Sequence, residues 1–207
     1  MKNIKSAVEE HVSRNIKTYI ILVAIFLLGL IIGIIVVNTS TQDVKNEISS
    51  YIGTFIQELK DGKKLDYLNL LKTSFGNNFF IVLILWFMSS TVIGIPVVYA
   101  GIGYKGFAVG YTISSVVAAL GTGKGIMFVL SSMLLHNIIF IPSMLLLATS
   151  GINLYKSIIK DRRKENIKLE IIRHTILSAL ILVVLLIASL IETYISSNIL
   201  VSIVKYL

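Results

Sequence analysis

Residues 106–120 read GFAVGYTISSVVAAL, from Gly106 to Leu120. The stretch carries no charge, yet it is shorter than the roughly 20 apolar residues that a helix needs to cross about 30 Å of hydrocarbon. It is also rich in small residues, so hydropathy alone leaves it ambiguous. Four other stretches meet or approach that length without Lys, Arg, Asp or Glu: Tyr19–Val37, Phe79–Tyr99, Ile126–Thr149 and Thr175–Ile191. Whether Gly106–Leu120 also crosses decides the parity of the whole chain.

Charge settles the count. Short basic loops are held on the cytoplasmic side, and the densest basic segments are Lys2, Lys5, Arg14 and Lys17 before the first span, and residues 150–174. The latter holds Lys156, Lys160, Arg162, Arg163, Lys164, Lys168 and Arg173. Both lie inside only if an even number of spans separates them, so Gly106–Leu120 must cross, helped by Gly101–Lys105 at its start. The expectation is an all-α polytopic membrane helix bundle with five transmembrane helices, at about 19–37, 79–99, 104–120, 126–149 and 175–191. The N-terminus is inside, the C-terminus outside, and residues 1–207 form a single membrane domain. The first apolar run exceeds a signal-peptide core and is not followed by an A-x-A-like site, which favours a retained anchor.

Composition agrees. Of 207 residues, 55% are apolar and 14% charged, and mean hydropathy is +0.85, outside the range of an ordinary soluble domain. The formal charge of +8 is concentrated in flanks, which disfavours nucleic acid as a partner, since that needs a continuous hydrated basic face. Cysteine is absent, removing disulfides, thiol nucleophiles and Cys-based zinc sites.

The segment 38–78 is external on this topology, and its five Lys are balanced by five acids. Val44, Ile48, Ile52, Phe55 and Leu59 share one helical stripe, giving an amphipathic helix that either lies on the membrane or bundle, or offers a docking face to an extracytoplasmic protein. Asp61-Gly62-Lys63-Lys64 ends it, and Leu65, Leu68, Leu71 and Phe75 suggest a second helix leading into the next span. The basic loop 150–174 is explained by topogenic charge and attraction to anionic membrane lipid.

Within the spans, small residues let helix backbones approach. Gly29 and Gly33 form one such pair; Gly106, Gly110, Ser114 and Ala118 form a stripe at a spacing of four. Polar groups in hydrocarbon need partners. Ser89, Ser90 and Thr91 sit midway along the second span, Ser114 and Ser115 midway along the third, and His136 and Asn137 near the middle of the fourth. Packing of these helices would bring the set to one depth, either as interhelical hydrogen bonds or as a solute path. Transport usually recruits an intramembrane carboxylate, and the only candidate, Glu192, falls at the end of the fifth span. Pro96 and Pro142 are expected to kink the second and fourth spans, freeing the carbonyls of Val92 and Ile138. Gly121-Thr122-Gly123-Lys124-Gly125 lacks the spacing of a phosphate loop and reads as an external turn.

Catalysis fails by inventory. His11 and His174 lie in cytoplasmic flanks, and His136 has no acid on its own helix, so neither a Ser-His-Asp set nor an H-E-x-x-H helix assembles. Glu58 and Asp61 read as solvated charge. No enzyme activity, cofactor or metal is expected.

The external segment ending in Ser74-Phe75-Gly76-Asn77-Asn78, the Gly106–Gly110 helix, and His136-Asn137-Ile138-Ile139-Phe140-Ile141-Pro142-Ser143 together resemble the stage II sporulation protein M family of endospore-forming bacteria. The resemblance covers nearly the whole chain. In the wider family the His is often followed by Gly and, a few positions on, by an acid; here Asn137 and Phe140 stand there. The resemblance implies a scaffold that gathers the peptidoglycan-degrading stage II sporulation proteins D and P during engulfment, on the mother-cell side of the septum and engulfing membrane, and is not itself a hydrolase. Asn77 and Asn78 are candidates for capping the second span or meeting a partner. Self-association is open, and so is a second reading as a permease or channel subunit for a small solute or ion.

Overall fold

The computed structural model describes residues 10–62, 65–91, 94–160 and 164–205. Their elements are α1 (Ile16–Thr39), α2 (Gln42–Lys60), α3 (Tyr67–Ser89), α4 (Gly94–Leu120), α5 (Thr122–Ser132), α6 (Leu134–Lys160) and α7 (Lys164–Leu190). A π-helical turn, Ile191–Ser196, joins α7 to α8 (Ser197–Val204). No strand occurs among the described residues, so the protein is an all-α bundle.

Four helical stretches are long and apolar enough to cross a membrane: Ile16–Thr39, Tyr67–Ser89, Leu134–Ile159 and Ile167–Val204. Helix α4 is not among them. At 27 residues it is about 40 Å long, but Lys105 and its glycines and tyrosines dilute its apolar content.

The helix ends differ from those expected, because polar residues that look like span boundaries are buried between helices instead. Asp66 accepts from the Asn69 amide at 3.1 Å and caps α3, which runs through Asn77 and Asn78 as interior residues. Capping therefore falls to Asp66, not to the asparagines. Ser89 to Thr91 close α3: the three hydroxyls bond back to the carbonyls of Leu85, Trp86 and Met88. Pro96 consequently lies in the first turn of α4, where a missing N–H costs little, and not as a kink in a helix over 79–99. Val92 lies outside the described residues. The expected crossing 126–149 is divided at Met133, while Pro142 does fall inside α6. The basic region 150–174 is largely helical, shared between α6 and α7. The glycine-rich segment is not a five-residue turn: Gly121 alone turns, with φ +78°, and α5 begins at Thr122.

Helices α1 and α4 are the most closely associated pair, and they run parallel. A Cβ at Gly29 would collide with the Gly103 carbonyl, and one at Gly33 with that of Phe107. Reciprocally, a Cβ at Gly106 or Gly110 would strike the carbonyl of Phe26 or Leu30. The expected small-residue contact is thus an encounter of backbones. Ser114 continues the buried stripe, but Ala118 is exposed beyond it. Helices α3 and α6 run opposite to α7: Trp86 Nε1 donates to Thr175 Oγ1 at 3.1 Å near one end, and Tyr67 Oη to Asn198 Oδ1 at 3.0 Å near the other.

Helix α2 closes one end of the bundle. Ile52, Ile56 and Leu59 pack with Val116, Leu200 and Val204, so Ile56 takes the inward place expected of Phe55, which is half out. Asp43 in its first turn and Lys60 in its last suit the helix dipole.

Replacing Gly106 with Ala forces a methyl group into backbone and is expected to cost about 1–3 kcal/mol. Gly53→Ala, where a Cβ meets nothing within 4 Å, is expected to gain up to about 1 kcal/mol of helix propensity. Thermal unfolding in detergent should move in opposite directions for the two variants.

Candidate functional site

Each core helix alternates in chemistry along its length, and the changes match in height. On α3, Ser74 and Asn78 precede Val82 and Leu85, which precede Ser89. On α6, His136 precedes Phe140, Met144 and Leu147, which precede Ser150. On α7 the order runs in reverse, from His174 through Ile181 and Leu185 to Ser189 and then Glu192. The result is a dry middle layer between two polar layers.

The polar layer nearer α2 has ionisable groups in its interior. Glu192 accepts a hydrogen bond from Ser74 Oγ, and its Oε2 lies 3.2 Å from His136 Nδ1. Ser74 Oγ also contacts Ser189 Oγ at 3.1 Å, and Asn78 Nδ2 donates to the same hydroxyl at 2.9 Å. The acid missing beside His136 in sequence thus arrives from the continuation of α7, where the π turn falls at Glu192. Lys105 enters from α4, level with Phe26 near the midpoint of α1, and its ammonium sits 4.2 Å from the centre of the Phe140 ring. A cation over a ring face is attracted by the ring quadrupole. His136 stacks on that ring too, with centroids 5.4 Å apart. A cavity of about 170 Å³ is bordered by Lys105, His136, Asn77 and Glu192.

The opposite polar layer is neutral in its interior contacts and charged only at its rim, where Arg14, Lys156, Glu170 and Arg173 border the same cavity as Asn15 and Asn153. Ser150 Oγ and His174 Nδ1 are 3.0 Å apart, Asn153 Nδ2 donates to Asn15 Oδ1 at 2.9 Å, and Gly151 admits the Ser89 hydroxyl, which a Cβ there would hit. Outside the apolar helices, burial and the neighbouring Arg14 charge hold His11 below the ordinary imidazole value.

The polar residues singled out in the sequence therefore do not converge at one depth. Ser89 belongs to the neutral layer and His136 to the charged one. Ser90 and Thr91 finish α3, and Asn137 Nδ2 bonds back to the Met133 carbonyl at 3.0 Å. Ser114 is buried, and Ser115 lines an apolar groove with Tyr51 and Phe55 under α2. The register fails because α3 ends, and α6 begins, about ten residues earlier or later than hydropathy alone indicates. Asn78 is only 4% exposed and ties α3 to α7; Asn77 is exposed. Lys105, Ser74, Ser189 and Gly151 were not legible as site residues. Lys105 carried the one available signal, an ionisable group amid small apolar neighbours.

The family model for stage II sporulation protein M matches residues 22–197. The chain belongs to that family. The match takes in α2 to α7, the whole charged set and the opposite polar layer apart from Asn15. No curated protein and no solved structure matches the chain. Family membership makes this a sporulation-related membrane protein.

Removing the buried amide with Asn78→Ala is expected to cost about 1 kcal/mol, the usual size of an interhelical hydrogen bond in lipid. Lys105→Met and Glu192→Gln should each destabilise by leaving one unmatched charge, and the double variant should recover part of the loss. Denaturant titration of the four proteins in mixed micelles measures this coupling.

Proposed function

We propose that the protein is a scaffold of the engulfment machinery that localises peptidoglycan-degrading enzymes, the stage II sporulation proteins D and P, at the septal and engulfing membrane on its mother-cell side. Five spans place its N-terminus inside and its C-terminus outside, with α4 as the third crossing. Helix α2 and the end of α8 then face the wall, where such enzymes work, and the protein itself hydrolyses nothing. The family match is the observation that carries this reading. The packing of α2 across the ends of α4, α5 and α8 supports it, because that packing gives the helix a rigid outward face bearing Asp43 and Glu47.

A cell lacking the gene is expected to keep a thick septal wall and to stall membrane migration; complete engulfment would overturn the reading. Reversing the charges of Asp43 and Glu47 should reduce co-purification of the two enzymes from sporulating cells while leaving membrane insertion intact.

The Glu192–His136 contact favours a second reading, a permease or channel subunit, because an ionisable pair inside a bundle is the usual mark of an ion or solute pathway. Liposomes carrying the purified protein test it: flux of an ion or small solute that falls in His136→Ala would support it, and absence of flux would remove it.

A further inference from the structure

The charged layer has an approach from one side. Beneath α2 lies a second cavity, of about 310 Å³, that reaches Phe55, Leu65 and Ser132 at its far end. Ser74, Asn77 and Glu192 border this cavity and also the 170 Å³ space that contains Lys105 and His136. The Glu192 side chain retains 38% of its exposure although it sits within a continuous helix, whereas His136 beside it retains 9%. At about 30 Å³ per molecule, the two spaces have room for a file of water with many polar partners. On the other side the route stops. Phe140 and Leu147 are fully buried, and Ile102, Leu85 and Leu185 close around them at 1–3% exposure.

We propose that Glu192 and His136 form a proton-binding site, reached by water from the side of the membrane on which α2 lies and sealed from the other. A hydronium ion delivers one proton to the imidazole–carboxylate pair and leaves as water; the reverse step returns it, and no other bond changes. The charged and titratable groups facing the pair are few. Helix α4 contributes Lys105; α3 contributes only the neutral Ser74, Asn77 and Asn78; α6 adds Asn137, and α5 adds Ser132. With Lys105 charged and Glu192 ionised the set is neutral, and one further proton makes it +1. Lys105 thereby disfavours a second proton and opposes any metal cation there.

The arrangement holds whether or not the protein is a scaffold, and it refines the permease reading by ending the path at the dry layer. The absence of cysteine from the 207 residues allows single-cysteine labelling of this chain without background. A membrane-impermeant methanethiosulfonate is applied to protoplasts and to inverted vesicles, with Gln42→Cys reporting which face carries α2. Asn77→Cys should react from that face only, at least roughly tenfold faster than Leu147→Cys in the close-packed core. Reaction from both faces, or no faster than Leu147→Cys, would overturn the one-sided path. Proton binding is read by infrared difference spectroscopy on a pH step between about pH 5 and 9, where imidazole titrates. The imidazolium or carboxyl signal should be smaller in the double variant Glu192→Gln/His136→Gln by the share of one proton per molecule; a double variant whose difference spectrum equals that of the wild type would refute the site. Asn77→Cys retains all three ionisable groups, so the accessibility result stands even if the double variant fails to fold. Neither measurement involves the wall enzymes, so failure here and failure of the scaffold reading are separable.

Discussion

Placing an ammonium and a carboxylate among apolar helices is tolerable only if each finds compensation there. Lys105 and Glu192 come from helices far apart in sequence, and they are held at one height by His136, Phe140 and Ser74 between them. That requirement ties α3, α4, α6 and α7 to one relative register. Sliding α7 by one turn would put Glu192 against Phe140 and bring Ser189 opposite the hydrocarbon of Val82. The neutral layer at the other end, with Ser150 against His174 and Asn153 against Asn15, repeats the constraint at lower cost.

The α1–α4 contact meets a different demand. Hydrocarbon outside the bundle offers apolar side chains as good a solvent as the bundle does, so helices gain most where backbones touch. Gly29 and Gly33 on one helix, and Gly106 and Gly110 on the other, remove the side chains that would prevent this. Close approach also explains how Lys105, next to Gly106, stays inside: it lies on the helix bearing the least side-chain volume and projects towards α6. Packing and charge placement are therefore linked through a single helix, α4, which is not among the four long apolar stretches.

Much of the architecture was legible in the residues. Four long uncharged runs mark the membrane helices, and the spacing of Ile52 and Leu59 marks the face by which α2 attaches. The glycine pairs mark the closest helix contact. The boundaries were less legible, since hydropathy treats Ser74, Asn77 and Asn78 as the edge of an apolar helix. In the structure Asn78 is among its most deeply buried residues. The candidate site was legible only in part for the same reason: His136 was visible as an isolated polar group, while Glu192 and Lys105 looked like the flanks of other spans.

Sequence by itself determined the class of the protein, an all-helical chain with several stretches that lipid can surround, because the demand for paired backbone groups and apolar side chains acts locally on each segment. It also determined the family, through motifs lying within single helices. Which polar groups meet was decided only by tertiary structure. A hydrogen bond or ion pair between helices depends on rotation, height and direction of two segments at once, and those follow from the packing of all the helices together.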